Sequence, residues 1–499
     1  MLKHAVVVGA GFGGIASALR LKGLGYHVTL IDRLDQLGGR ARVFHRGGYK
    51  HDAGPTVLTA PFLFEELFAL FDERIEDYAQ IVPLQTWYDF YFSDGRTFRY
   101  QADLKAFEEE IGQFCKDDVA GYAKLVAMSE KIFNVGFTQL ADVPFNTLST
   151  MVKQVPSLIR LQSYKTVYQL IATYIQHPSL RQALSIHSLL VGGNPFDTTS
   201  IYTLIHFLER KWGIHFCMGG TGALVAAFKK LMLKVGVTIQ LQQEVKQIQV
   251  KQNKVVGWID QNGHVHSCDL MVFNGDPAFA YQHLLPKLPR QFFRRPDQFT
   301  QFSMGLYVLF FGATKQWPEV AHHTIWMGHR YKTLLHDIFH KKILADDFSL
   351  YIHRPTATDP SFAPQGCDSF YVLCPVPNLL GKVDWEHEAP RLKTKIIDAL
   401  DQTILPQLKS HIEASFWMTP EDFQTDYLST YGAGFSIAPI LTQSAYFRFH
   451  NQDPSIKNLF FAGAGTHPGA GLPGVVSSAK VVEKLVRQYQ TTQGALAHA

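Results

Sequence analysis

Cysteine is scarce: the five in 499 residues, Cys115, Cys217, Cys268, Cys367 and Cys374, form no Cys-x-x-Cys pair. That spacing argues against a zinc knuckle or a disulfide framework and fits a reducing cytoplasm. Charge is also sparse, at 18% of residues with a formal net charge of +4 and no block of one sign, so a nucleic-acid partner is not expected. Nowhere do about 18 apolar residues run consecutively, which leaves no candidate for a spanning helix and makes any membrane contact peripheral. The apolar N-terminal stretch is interrupted by Arg20 and Lys22 and lacks a small-residue cleavage site, so no export signal is expected. Histidine is plentiful, at 22 residues, but the helical His-Glu-x-x-His spacing is missing. No metal is expected, even at the adjacent pair His322-His323. Gly219-Gly220-Thr221-Gly222 lacks the lysine of a P-loop and is taken as a turn capping a helix from near Ala223.

What the chain does have is apolar mass: 46% hydrophobic residues, 13% aromatics and 37 phenylalanines. A greasy ligand is the natural reason for so much apolar surface. The length exceeds what one core usually organises, so two domains are expected. Residues 4–9 form an apolar strand, followed by a glycine-rich turn, an Ala/Leu-rich helix to about Leu24 and a second strand, Tyr26 to Asp32. From about 60 to 214 the pattern is mostly helical, including Phe62 to Phe71. Leu161, Tyr164, Tyr168, Ile171 and Ile175 recur there at spacings of three and four. Strands follow at 237–241, 245–250, 255–259 and 270–273, with 303–311 and 368–376 assigned to a different sheet. The last 45 or so residues return to strand, glycine-rich loop and helix.

The sharpest local motif is Gly9-x-Gly11-x-x-Gly14 after the first strand, with Ala10, Phe12 and Gly13 filling the turn. Gly9 permits the tight turn, Gly11 lets backbone approach a pyrophosphate, and Gly14 and Ala18 allow close helix packing. Asp32, with Arg33 beside it, closes the second strand and can accept hydrogen bonds from both adenosine ribose hydroxyls. A dinucleotide site is therefore expected. Downstream come Gly38-Gly39-Arg40 and Asp52-Ala53-Gly54-Pro55-Thr56, which resemble the FAD-binding amine oxidase and desaturase superfamily. The resemblance implies FAD, with Gly39 and Arg40 near its phosphates and Gly54, Pro55 and Thr56 near the isoalloxazine. It also implies that Val245 pairs its backbone with adenine, and that Gly463, Ala464, Gly474 and Val475 touch the pyrophosphate, ribityl chain and flavin. No second glycine fingerprint follows another strand, so a separate NAD(P) domain is not indicated.

Residues 462–475, Ala-Gly-Ala-Gly-Thr-His-Pro-Gly-Ala-Gly-Leu-Pro-Gly-Val, resemble the carotenoid desaturase signature. Together with His187 to Phe196, Gly219 to Leu224 and Ala321 to Thr324, they extend a resemblance to bacterial and fungal phytoene desaturases almost end to end. The implied fold is α/β: a discontinuous Rossmann-like FAD domain of the GR2 type over 1–85, 215–285 and 437–499. An inserted α+β substrate domain with a mixed sheet and helices would occupy 86–214 and 286–436. The implied activity is stepwise desaturation of phytoene to neurosporene, lycopene or a related polyene, with oxygen or a quinone as electron acceptor. Alternatives are a C30 dehydrosqualene desaturase, a carotenoid isomerase, a flavin amine or porphyrinogen oxidase, and a carotenoid-binding protein with vestigial flavin. The implied location is the inner face of the cell membrane, docked through Lys153 to Gln176 with Lys153, Arg160 and Lys165 beside an apolar face. His467 is a candidate proton acceptor, though a loop-stabilising role suits it better, and Lys153 is a weaker candidate.

Overall fold

The computed structural model describes residues 3–286 and 300–497. Its first sheet has five parallel strands in the order Leu459–Phe461, Leu270–Phe273, His4–Val8, His27–Ile31 and Thr238–Gln240. The N-terminus, the middle and the C-terminus of the chain therefore share one sheet. Val7 shows why these runs are apolar: it pairs with Leu30 on one side and Val272 on the other, and all three are buried. A strand covered on both faces needs a nearly continuous hydrophobic sequence rather than an alternating one. The helix Phe12–Gly23 lies over this sheet and packs along the long C-terminal helix Leu472–Ala497.

The second sheet is mixed and seven-stranded, running Ile412–Met418, Gly305–Ala313, Asp368–Val376, Leu350–His353, His323–Trp326, Thr86–Tyr91 and Thr97–Gln101. Only the pairing of His323–Trp326 with Thr86–Tyr91 is parallel. Every residue of Gly305–Ala313 is buried, since one face of that strand meets the helix Trp385–Gln402 and its neighbours while the other meets an aromatic layer. A small antiparallel sheet, Val245–Lys251, Lys254–Asp260 and Val265–Ser267, stands beside the parallel one.

The stretch 60–214 is mostly helical, as its pattern suggests, but the strands Ile81–Pro83, Thr86–Tyr91 and Thr97–Gln101 interrupt it. The signal was present: Thr-Trp-Tyr-Asp-Phe-Tyr favours a pleated surface, and Asp94-Gly95, with Gly95 at φ +83°, turns the hairpin. The periodic segment from Leu161 is also shorter than its spacing suggests. Gln162 takes φ +56°, and the helix starts only at Val167, where Thr166 and Gln169 form a capping box. The turn at Gly219 caps a helix that begins at Gly220 rather than near Ala223. Residues 287–299 of the expected second substrate segment lie outside the described residues.

Phe310, fully buried in Gly305–Ala313, stacks on Phe416 at 4.6 Å and meets Phe44, His51 and Tyr371 edge-on. Phe310→Ala is expected to cost about 3–5 kcal/mol through lost burial and the cavity it leaves. A lowered denaturant midpoint measured by circular dichroism checks this.

Candidate active site

The strand His4–Val8 ends at Gly9, which has φ +96°, and the helix begins three residues later. A β carbon on Gly14 would lie 1.9 Å from the Gly9 carbonyl oxygen, so glycine is obligatory if helix and strand are to meet this closely. The helix N-terminus then opens onto a cavity of about 540 Å³ whose wall includes Gly9, Gly11, Phe12 and Gly13. Asp32 sits at the same rim, with one carboxylate oxygen accepting the Ala10 N–H at 2.6 Å and the other the Leu34 N–H at 2.9 Å. Burial nevertheless raises its pKa from the usual carboxylate value.

Asn274, on the loop after Leu270–Phe273, joins the pieces. Its amide nitrogen donates to the Gly9 carbonyl at 3.2 Å, and its Oδ1 lies where a β carbon on Gly13 or Gly463 would collide, at 2.3 and 2.9 Å. That Oδ1 is buried without a hydrogen-bond partner, as is Nε of Arg40. Both residues line the cavity, which places an amide and a guanidinium at its glycine-turn end. Arg40 donates to Ser429 Oγ at 2.5 Å, and burial lowers its pKa against the opposing charge of Asp276. Asp276 is itself pushed up by burial despite N–H donors from Thr430 and Ala278.

The same cavity extends into an apolar chamber walled by Ile186, Leu189, Leu190, Ile201, Leu208 and Phe435. Where it passes the Gly54-Pro55-Thr56 loop, Thr56 Oγ1 lies 2.5 Å from Tyr351 Oη, which lies 2.8 Å from His323 Nδ1. Glu209 also reaches the wall, where it accepts from Tyr88 Oη at 3.2 Å and is held 2.8 Å from His187 Nε2.

Of the residues singled out in the sequence, Gly9, Gly11, Phe12, Gly13, Asp32, Arg33, Gly39, Arg40, Gly54, Pro55 and Thr56 all line this one cavity. So do Val245, Gly463, Ala464, Gly474, Val475 and His467. Ala10 and Gly14 stand behind them, as a donor to Asp32 and a packing contact. Lys153 is not brought to the site: it is exposed on the helix Leu148–Arg160, whose Met151, Gln154 and Leu158 are the residues that reach the cavity. Asn274, Asp276 and Arg448 were missed. Arg448 is buried and donates to the carbonyls of Ala464 at 2.5 Å and Thr466 at 2.9 Å, which holds the C-terminal loop in shape. None of the three belongs to a spacing motif; Asn274-Gly275-Asp276, directly after a buried strand, was the available hint.

His467 Nε2 lies 2.8 Å from the Leu140 carbonyl, so this nitrogen donates. Burial brings its pKa from 6.5 to about 4. As pH falls through 6.5, the unfolded chain takes up a proton that the folded chain refuses until about pH 4. Stability is therefore lost across that window, by up to about 3 kcal/mol from this group. His467→Gln, which cannot titrate, is expected to flatten the stability profile between these pH values, as read from denaturant unfolding at each pH.

The chain matches the model of the flavin containing amine oxidoreductases over residues 12–482. It is 45% identical to the lycopene-forming phytoene desaturase of Pseudescherichia vulneris, covering 97% of this chain and 99% of that one. Against the neurosporene-forming phytoene desaturase of Cereibacter sphaeroides it is 40% identical, covering 97% and 94%. Among solved structures, putrescine oxidase bound to putrescine superposes with a TM-score of 0.63 over the whole of both chains at 12% identity, a likeness of fold alone. A flavoprotein fold, a glycine-turn cavity and this degree of likeness agree: the chain is an FAD-dependent oxidoreductase belonging to the phytoene desaturase branch of the flavin containing amine oxidoreductases.

Proposed function

We propose that this enzyme desaturates phytoene, removing hydrogens in pairs to give lycopene or neurosporene. The observation that carries the reading is that one cavity joins the glycine turn to a chamber of aliphatic and aromatic side chains. A hydrocarbon offers no group for hydrogen bonding, so shape and exclusion of water must hold it. The greater identity to the lycopene-forming relative, 45% against 40%, favours lycopene.

Held by these residues, FAD would supply a two-electron acceptor for the hydride of one substrate carbon, the neighbouring carbon giving up its proton to solvent. The helix N-terminus at Gly11, Phe12 and Gly13, which lines the cavity, would receive the pyrophosphate. Arg40 adds its guanidinium to that charge, Asp32 accepts the adenosine ribose hydroxyls, and Val245 presents backbone to the adenine. Gly54, Pro55 and Thr56 support the ring, while Gly463, Ala464, Gly474 and Val475 close over it from the C-terminal loop. Leu189, Leu208 and Phe435 keep water from the reacting carbon. His467 fastens the signature loop to Leu140 and is not assigned the proton. By this reading the discontinuous segments 1–85, 215–285 and 437–499 form the FAD domain, and 86–214 with 286–436 form the substrate domain.

We also assign the helix Leu148–Arg160 to a membrane surface. None of its residues is fully buried, and Leu148, Val152, Val155 and Ile159 form an exposed apolar stripe at helical spacing, with Val152 58% and Ile159 61% exposed. Lys153, Arg160 and Lys165 flank it, as suits an anionic leaflet. The adjoining face, through Met151 and Leu158, lines the cavity, so a lipid-soluble substrate enters there without crossing water. Among the described residues no helix is long and apolar enough to cross a membrane.

The FAD-loaded enzyme incubated with phytoene in liposomes is expected to give extracted polyenes whose masses fall in two-hydrogen steps while visible absorption grows. Phytoene recovered unchanged beside bound, reducible flavin would overturn the substrate assignment and turn attention to C30 precursors and amines. Val152→Glu combined with Ile159→Glu is expected to weaken flotation with anionic vesicles by more than about tenfold, each lost side-chain insertion being worth roughly 1.5–3 kcal/mol. Flavin content should stay at the wild-type level; unchanged flotation would move the docking surface elsewhere.

A further inference from the structure

We propose that His322, His323 and His353, together with Asp52, form a binding site for a divalent transition metal, zinc by its donor set. The sequence shows only the adjacent pair, and the fold supplies the rest. His353 is the direct cross-strand partner of His323, and the three imidazoles each place a nitrogen within 4.8 Å of the others, all buried. Asp52, at the end of Tyr49–Asp52, brings Oδ2 to 3.9 Å from His353 Nε2.

The polar atoms in this cluster are orphaned together. Nε2 of His322, Nε2 of His323, both ring nitrogens of His353 and Oδ2 of Asp52 are buried with no hydrogen-bond partner. Each such group left unsatisfied costs about 1–3 kcal/mol, so a shared partner is called for. The remaining atoms are already used in the way metal ligands are usually braced. His322 Nδ1 lies 2.7 Å from Thr358 Oγ1, His323 Nδ1 lies 2.8 Å from Tyr351 Oη, and Asp52 Oδ1 accepts from Thr221 N–H and Oγ1 at 3.1 and 3.0 Å.

Among the described residues no lysine or arginine pairs with Asp52, whose ion-pair contact is His353. A divalent cation provides the missing positive charge. Three imidazole nitrogens grouped within 4.8 Å of one another, with the Asp52 carboxylate beside His353, make a donor set of the zinc kind. Tetrahedral zinc needs donors about 3.4 Å apart, a contraction within reach of side-chain rotation.

The position gives the ion a task. Asp52 leads directly into the Gly54-Pro55-Thr56 loop, while the histidines belong to the seven-stranded sheet and its margin. Coordination would clamp that loop to the sheet, and zinc would do so without exchanging electrons with the flavin.

The test is elemental analysis of the flavin-loaded wild-type enzyme, expressed in zinc- and in cobalt-supplemented minimal medium and dialysed against metal-free buffer. About one metal per chain is expected, with the visible ligand-field bands of tetrahedral cobalt in the second preparation. His322→Gln and His353→Gln should each lower the metal-to-chain ratio by roughly tenfold or more. Should either variant fail to fold, a strong chelator applied to the wild type should remove the metal and lower Tm. Stoichiometric flavin without stoichiometric metal in both preparations would overturn the proposal and leave ordered water as the partner of the imidazoles. This readout is independent of activity on phytoene.

Discussion

The approach of the first helix to the first strand, so close that a β carbon on Gly14 would fall 1.9 Å from the Gly9 carbonyl, is the constraint from which the cofactor side of the molecule follows. It aims the helix N-terminus at the cavity and leaves a gap beside Gly13 that the Asn274 amide fills, with Val475 and Gly463 close behind it. The amide can be there because Leu270–Phe273 runs beside His4–Val8 in the parallel sheet. Gly463 can approach it because Leu459–Phe461 is the next strand over. Two distant stretches of chain thus meet at the Asn274 side chain of a third, each of the two through a glycine.

The other half of the molecule answers a different demand. A chamber for an apolar ligand must be rigid without polar contacts to the ligand, so its stiffness comes from around it. The aromatic layer on the seven-stranded sheet, with Phe310, Phe416, Tyr88 and Tyr100 among its members, provides that stiffness through packing. Polar groups admitted there are braced in pairs or chains, as in Glu209 with Tyr88 and His187, or Thr56 with Tyr351 and His323. Tyr351 therefore links the chamber wall to the histidine cluster behind it.

Buried strands in both large sheets were legible because they read as apolar runs: Leu270–Phe273 of the parallel sheet and Asp368–Val376 of the mixed one fall where their residues suggest. The glycine fingerprint was legible because its spacing has a mechanical cause. The hairpin at 86–101 was obscured by aromatic residues, which a helical spacing rule accepts as readily as a pleated one. The segment from Leu161 misled for a similar reason, since periodicity continues through a turn that only the positive φ of Gln162 reveals. At the site, Asn274 and Arg448 escaped notice because their roles depend on contacts with residues 189 and 16 or more positions away, such as Asn274 with Gly463 and Arg448 with Ala464. The histidine pair was dismissed for lacking a local motif, and its third member arrives only through cross-strand register.

The strand order of the parallel sheet also bears on how the protein is made. His4–Val8 lies between His27–Ile31, synthesised within moments of it, and Leu270–Phe273, followed by Leu459–Phe461 near the chain's end. During translation the outer edge of Leu270–Phe273 therefore stays uncovered until Leu459–Phe461 has emerged from the ribosome. The wall that Gly463 and Ala464 give the cavity forms only with that strand, and the apolar middle of the chain must be sheltered until it arrives.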